Sequence, residues 1–147
     1  MPLMPTTLAN AIVRITSGEG FPDAGSTAAE QWARAVGTYF RSALFPTVMP
    51  GAHVAAEAAA RGVLGGLLLV DAMQAVKASV QAYAGVLAGM PLAPGVATPP
   101  ASPLVLPAMP PTLDAVSAAG LMAATIHGWA VTGLWIPAPL ATPVPWS

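Results

Sequence analysis

The stretch Ser26–Phe40, STAAEQWARAVGTYF, carries the clearest helical pattern in the chain and decides its fold class. Its apolar side chains recur with the helical period of about 3.6 residues. They are Trp32, Val36, Tyr39, Phe40 and Ala43. Glu30 and Arg34 lie four residues apart on the opposite face, a spacing that allows an ion pair. Thr27, followed by Glu30, forms a capping box that predicts where the helix begins. The stretch therefore predicts an amphipathic helix, and Pro46 is expected to end it.

Three further segments before residue 90 carry helix signals of the same kind. The first, PTTLANAIVRITSG, occupies residues 5–18 and offers a threonine cap and a terminal glycine. The next begins near Pro50, because proline suits the first helical turn. The last runs from Asp71 to Gly89. We therefore interpret residues 1–90 as the N-terminal part of a helical bundle.

Residues 91–111, PLAPGVATPPASPLVLPAMPP, contain no charged side chain. The prolines exclude a helix interior or a central strand and favour extended backbone. Solvated linkers are usually polar or charged, whereas this stretch carries leucine, valine and methionine. We expect an extended arm that lies on an apolar surface, either the chain's own bundle or a neighbouring subunit. A disordered spacer is the alternative interpretation.

Residues 112–136, TLDAVSAAGLMAATIHGWAVTGLWI, are predicted to form a final helix of the same domain, capped by Thr112. A stripe of small residues recurs at every fourth position: Gly120, Ala124 and Gly128. Such a stripe permits a close approach by another backbone. With few polar positions, this helix is expected to be buried nearly all round. Residues 137–147, PAPLATPVPWS, repeat the character of the first arm and predict a second one.

Composition limits what the surface can bind. Apolar residues make up 55% of the 147-residue chain and charged residues only 7%, with a formal net charge of -1. A charged share of about 25% is usual. The few basic residues are scattered, so no nucleic-acid partner is predicted. The deficit of charge indicates that much of the exterior is covered, either by other protein chains or by lipid.

The sequence holds no motif for catalysis, for a metal or for a cofactor, and none is predicted. It has no cysteine, and no phosphate-binding loop or nucleophile elbow is present. His53 and Glu57 are four residues apart, but no further ligand joins them, and a pair on a helix surface is the simpler interpretation. His127 lies in the most apolar helix and is expected to be a hydrogen-bonded histidine of a core or interface.

These features together predict an all-α domain, a small bundle of about five helices with extended proline-rich arms. The alanine-rich helices broken by GFP (20–22), the ATPPASPLVLP arm (97–107) and the terminal PVPWS (143–147) resemble small accessory virion proteins of tailed bacteriophages. That resemblance implies a location in a capsid, neck, tail or baseplate and many copies per particle. It implies no particular functional residue.

The predicted function is that of a non-enzymatic structural subunit whose partners are other protein subunits and copies of itself. The candidate contact residues are Leu104, Leu106, Met109, Gly120, Ala124, Gly128, Trp135, Pro145 and Trp146. If the arms matter for assembly, deleting residues 137–147 is expected to prevent incorporation while leaving the helix content unchanged. The alternative is a small integral membrane protein with a transmembrane helix at 115–136, although no Lys or Arg flanks that span.

Overall fold

A computed structural model describes residues 3–16, 25–43, 50–67, 71–89, 95–137 and 142–147. In these ranges the chain forms five helices and three short strands. In chain order they are α1 (Pro5–Thr16), α2 (Gly25–Arg41), α3 (Pro50–Leu67), α4 (Ala72–Gly89), β1 (Gly95–Thr98), α5 (Ala115–Ala130), β2 (Leu134–Pro137) and β3 (Val144–Pro145). The predicted all-α bundle is confirmed, and the small sheet is an addition to it.

The helices pack through the apolar faces that their periodicity creates. α3 lies against α4 and α2, while α1 lies against α2 and α5. On α1 the buried side chains are Leu8, Ile12 and Ile15, spaced three and four residues apart. The larger side chains of α2 on the same core are Trp32, Val36, Tyr39 and Phe40. The helical period of each segment thus determines which face enters the core.

The boundaries of α2 differ slightly from the prediction. The helix begins at Gly25, so Thr27 lies inside it and not at its cap. The expected ion pair forms, with Arg34 Nη2 at 3.0 Å from Glu30 Oε1. At the other end the Ser42 hydroxyl donates to the Tyr39 carbonyl at 2.6 Å. Pro46, the predicted terminator, lies outside the described residues.

The helix predicted to run from residue 112 to residue 136 is shorter at both ends. Asp114, and not Thr112, is the cap: its Oδ1 accepts from the backbone amides of Val116 at 3.1 Å and Ser117 at 3.0 Å. An aspartate satisfies these exposed amides and also complements the positive end of the helix dipole. Hydrogen bonds to Asp114 from the Ser117 hydroxyl and from backbone amides hold the pKa of that carboxyl below its ordinary value.

The C-terminal end of α5 is a turn that leads into a strand. The amide of Thr132 donates to the Trp129 carbonyl and that of Gly133 to the Ala130 carbonyl, each at 3.0 Å. The chain then enters β2, which pairs antiparallel with β1 on one side and with β3 on the other. The predicted continuation of the helix to residue 136 was therefore wrong, because these apolar residues complete a sheet.

The described parts of both arms lie on the chain's own bundle, which is the first of the two surfaces considered for residues 91–111. In the first arm Leu104 is fully buried, and Leu106 and Met109 pack half-buried against the core. In the second arm Trp146 is only 1% exposed, and its amide donates to the Gly133 carbonyl at 3.0 Å. Residues 91–94 and 138–141 lie outside the described residues. Part of the charge deficit thus reflects apolar segments that complete this chain's own core.

Candidate interaction surface

An aromatic cluster joins the helices to the C-terminal segment and fixes the orientation of the surfaces around it. Its centre is Phe40 of α2, whose ring stacks on that of Tyr83 at a centroid distance of 5.0 Å and an angle of 10°. The Trp146 ring meets Phe40 edge-on at 6.3 Å. Aromatic pairs in these arrangements stabilise a core beyond the area that they bury. The cluster therefore anchors the last residues of the chain to α2 and α4.

Two tyrosine–histidine hydrogen bonds flank this cluster. The hydroxyl of Tyr39 lies 3.0 Å from Nδ1 of His127, which links α2 to α5. The hydroxyl of Tyr83 lies 2.8 Å from Nδ1 of His53, which links α4 to α3. The prediction of a hydrogen-bonded His127 is confirmed. The surface placement of His53 was wrong, because only 9% of that residue is exposed.

The surroundings of His53 keep both partners of this second hydrogen bond uncharged at neutral pH. Burial, and then the positive charge of Arg41, lower the pKa of His53 against the opposing effect of Glu57. Burial also raises the pKa of Tyr83, so its hydroxyl keeps its proton at neutral pH. A protonated hydroxyl and a neutral imidazole form an uncharged hydrogen bond, in which Tyr83 donates if the His53 proton lies on Nε2 and accepts if it lies on Nδ1. The pair has the form of a satisfied core contact.

Glu57 pairs with Arg41 of the neighbouring helix and not along its own helix. Its Oε2 lies 2.7 Å from Nη2 of Arg41. The pair rests against Gly37, where a Cβ would stand 2.7 Å from Glu57 Oε2 and 3.0 Å from Arg41 Nη1. The absent side chain at this position lets the ion pair lie close to α2. One of the few charged groups of the chain is thus used to join α2 to α3.

The first exposed apolar surface is the outer face of α5, which carries no charged residue. We call it the α5 outer face, and it consists of Val116, Gly120, Leu121, Ala124 and Gly128. Val116 is 67% exposed and Leu121 is 41% exposed, while the opposite face enters the core through residues such as Met122 and Ile126. The expectation that this helix is buried nearly all round was therefore wrong.

The small-residue stripe on this face has no close neighbour among the described residues. A Cβ built at Gly120 or at Gly128 meets nothing within 4 Å. The close helix crossing predicted at this stripe is therefore not made within the described part of the chain. The stripe stays open on the molecular surface.

The second exposed surface is the outer face of the sheet, which is mainly apolar. We define it by Val96, Leu134, Ile136 and Pro145, with the hydroxyl-bearing Thr98 opposite Leu134. Side chains along a strand alternate between two faces. Ala97 and Trp135 pair in register and point into the core, leaving Val96 62% exposed and Leu134 40% exposed on the other side. Ile136 is half-buried there. No Asp, Glu, Lys or Arg follows Asp114 in the sequence. The helix α5 and the strands β2 and β3 therefore carry no charged residue.

The structure separates the predicted contact residues into three groups. Leu104, Trp135 and Trp146 are at most 3% exposed and belong to the core. Leu106 and Met109 are half-buried against that core. The residues at the surface are Gly120, which is half-buried, and Ala124, Gly128 and Pro145, which are exposed.

Four exposed apolar residues on the two outer faces were missed by the sequence prediction: Val96, Val116, Leu121 and Leu134. The helical period of α5 was the available signal for two of them. It places Val116 and Leu121 away from the side of Met122 and Ile126. Val96 and Leu134 carried no comparable signal, because their strands were not predicted.

Three findings bear on the kind of site. Within the described residues, no three His, Cys, Asp or Glu side chains lie together in a way that holds a metal ion. In the same part of the chain, no helix combines the length and the apolar character that crossing a bilayer requires. The transmembrane helix considered for residues 115–136 is in fact a 16-residue helix, a turn and a strand.

Comparisons with known proteins give no family. No protein-family model matches this chain, and neither a curated protein nor a solved structure is similar to it.

Proposed function

We propose that this chain is a non-enzymatic subunit of a larger protein assembly, which contacts other subunits and copies of itself. The observation that carries the proposal is the α5 outer face, where exposed apolar side chains lie on a helix without any Asp, Glu, Lys or Arg. The sheet outer face adds a second uncharged surface of the same kind. Large apolar surfaces of this type are typical of protein–protein contacts.

The chemistry of the α5 outer face suits a buried contact. Covering it removes apolar area from water at about 25 cal/mol per Å². The face itself carries no charge to desolvate, and the exposed Asp114 carboxylate lies at its edge beside Val116. The hydroxyl of Thr125, beside this face, already donates to the Leu121 carbonyl at 2.8 Å and needs no partner from outside. Gly120 and Gly128 leave room for a neighbouring backbone. Interface cores are depleted of charged residues in the same way.

The burial of the arms narrows the proposal. Leu104, Trp135 and Trp146 contribute to the stability of this chain and are removed from the set of proposed contacts. The contacts proposed in their place are Val116, Leu121, Val96 and Leu134, beside Gly120, Ala124, Gly128 and Pro145. Leu106 and Met109 can contribute only through their exposed portions.

A virion of a tailed bacteriophage is the assembly that we propose. The support is the resemblance in composition and layout to small accessory virion proteins. Many copies of a small, charge-poor subunit suit a particle in which the exposed faces are covered by neighbours.

Site-specific photo-cross-linking in cells that produce the protein tests this proposal. A benzophenone amino acid replaces Leu121 in one variant and Val54 in a matched control, because Val54 is also exposed and apolar but lies on α3. Since the probe reacts with whatever protein covers it, position 121 is expected to give discrete covalent products and position 54 none. Association of the products with sedimenting particles identifies the assembly.

Equal cross-linking at both positions, or none at position 121, contradicts the assigned surface. If the products at position 121 never sediment with particles, the proposed virion location is contradicted, whereas a smaller assembly is still supported.

A further inference from the structure

A groove between α1 and α2 lies apart from the two outer faces and has a different chemistry. It is open to solvent and has a volume of about 540 Å³, within the range of about 300 to 1,000 Å³ of small-molecule sites. Its floor is apolar, formed by the buried Ile15 and Ala35 with the half-buried Ala11. The polar side chains around this floor are Thr7, Asn10, Arg14, Gln31, Arg34 and Thr38.

The polar groups of this rim have few partners within the described part of the chain. The carboxamides of Asn10 and Gln31, and the hydroxyls of Thr7 and Thr38, take part in none of the side-chain hydrogen bonds found there. Three helical hydroxyls elsewhere in the molecule donate to a carbonyl one turn back. They are those of Thr16, Ser79 and Thr125. The groove thus collects polar groups with unused hydrogen-bonding capacity.

Among the described residues that line the groove, the charged side chains are Arg14 and Arg34. Arg14 forms no ion pair among the described residues, and Arg34 pairs with Glu30 at 3.0 Å. That pair is exposed on both sides, at 68% and 53%, so solvent screens it and Arg34 can still attract a second anion. The whole chain has only five Lys and Arg residues, and two of them line this one groove. Guanidinium groups favour carboxylate, phosphate and sulfonate oxygens because they donate two parallel hydrogen bonds.

We propose that the α1/α2 groove binds a small organic anion with an apolar body. The anionic group lies against Arg14 and Arg34, the carboxamides and hydroxyls complete its hydrogen bonds, and the apolar body covers Ala11, Ile15 and Ala35. This inference does not depend on the proposed assembly function, since the groove is built from α1 and α2 and the contact surfaces from α5 and the sheet.

A titration followed by amide NMR tests this site in the full-length chain. The probe is 4-phenylbutyrate, which joins a carboxylate to an apolar body, and the neutral control is 4-phenylbutanamide. The carboxylate is expected to shift amide signals of residues 7–15 and 31–38 at low salt. The amide is expected to bind at least about tenfold more weakly, because it offers no charge to the guanidinium groups. Added salt weakens the carboxylate further.

Two variants and a matched control locate the charges. Arg14→Gln and Arg34→Gln are each expected to raise the Kd for 4-phenylbutyrate about tenfold, since each loses one charge-assisted contact. Arg61→Gln removes the same charge from α3, outside the groove, and is expected to leave the Kd unchanged. All three side chains are exposed, and the thermal unfolding of each variant checks that it folds.

The proposal is overturned by any of three results. The first is no shift in α1 and α2 at the solubility limit of the carboxylate. The second is equal binding of the carboxylate and the amide. The third is a Kd that changes alike in Arg61→Gln and in the two groove variants.

Discussion

At the scale of single residues, a Cβ added at either of two glycines would come equally close to another side chain, but the two side chains differ in how easily they can move. At Gly133 a Cβ would lie 2.7 Å from Cδ2 of the Trp146 ring, which is packed in the core. At Gly37 it would lie 2.7 Å from Glu57 Oε2, at the mobile end of a half-exposed ion pair. A ring fixed by packing cannot move aside as a solvated carboxylate can.

Alanine substitutions at these two glycines are therefore expected to differ. Gly133→Ala should lower the free energy of unfolding by about 1 to 3 kcal/mol, because the Trp146 ring must shift. Gly37→Ala should stay within about 1 kcal/mol of the parent, since a gain in helix propensity offsets a weakened ion pair. Urea unfolding followed by circular dichroism measures both. Similar losses for the two variants would show that the ion pair, too, cannot move.

Trp146 carries a second residue-scale prediction. Its Nε1 is buried without a hydrogen-bond partner among the described residues. Trp146→Ala is expected to cost about 3 to 5 kcal/mol of stability because it leaves a cavity beside Phe40. Trp146→Phe keeps an aromatic ring and removes an unpaired donor, so its cost should be clearly smaller. Thermal unfolding measures the loss of stability in both variants, and equal losses would contradict the packing described for this ring.

The same contacts change the expected outcome of deleting the second arm. The sequence suggested unchanged helix content after loss of residues 137–147. Because Trp146 lies in the core and β3 pairs with β2, removal of this segment is instead expected to expose the core of the bundle and to lower the helix content.

His53 gives the bundle a predictable pH dependence. Its ordinary pKa of 6.5 is lowered by burial and by Arg41 in the folded chain. Below that value the unfolded state binds more protons than the folded state, so the free energy of unfolding falls as the pH falls. The free energy of unfolding falls by at most about 1.4 kcal/mol per pH unit. This fall occurs between pH 6.5 and the lowered pKa of His53 in the folded chain.

The variant His53→Asn isolates this effect. The asparagine carboxamide offers both a donor and an acceptor to the Tyr83 hydroxyl but does not titrate. The difference in free energy of unfolding between parent and variant should therefore shrink as the pH falls from about 7 to about 5. Urea unfolding at several pH values measures it. A difference that is constant across this range would mean that His53 titrates alike in the folded and unfolded chain.

At the scale of elements, α5 is a helix with two glycines that its own fold does not require. Gly120→Ala and Gly128→Ala are each expected to raise the free energy of unfolding by about 0.5 to 1 kcal/mol, because alanine loses less backbone entropy and meets no atom within 4 Å. Urea unfolding of the isolated chain measures this. A loss of stability in either variant would reveal a close neighbour at that position.

The elements also show what the sequence can predict. The helical periods predicted α1, α2 and α4, since each buries a face of several turns, and Pro50 predicted the start of α3. The strands escaped prediction because they are only four, four and two residues long and because β1 pairs with β2 across the whole of α5. The end of α5 was missed for a related reason. The apolar run continues through Gly133, and only the pairing of Leu134–Pro137 with Gly95–Thr98 decides its conformation.

At the scale of the whole molecule, the shortage of charge has two origins that composition cannot separate. One part is internal: the apolar arms complete the chain's own core through Leu104, Trp135 and Trp146. The other part is external: the α5 and sheet outer faces expose apolar side chains to solvent. The sequence predicted that apolar surface is covered, but the packing of the arms determines which surface is left for a partner.

The proposed use of that surface is tested most directly by sedimentation velocity of the purified chain over a range of concentrations. We compare the parent with Leu121→Glu, which places a charge on the α5 outer face, and with the matched control Val54→Glu on α3. The account predicts that the parent and the control self-associate and that Leu121→Glu sediments as a monomer, because an unpaired buried charge opposes the contact. A parent that stays monomeric at every concentration, or two variants that behave alike, would contradict it.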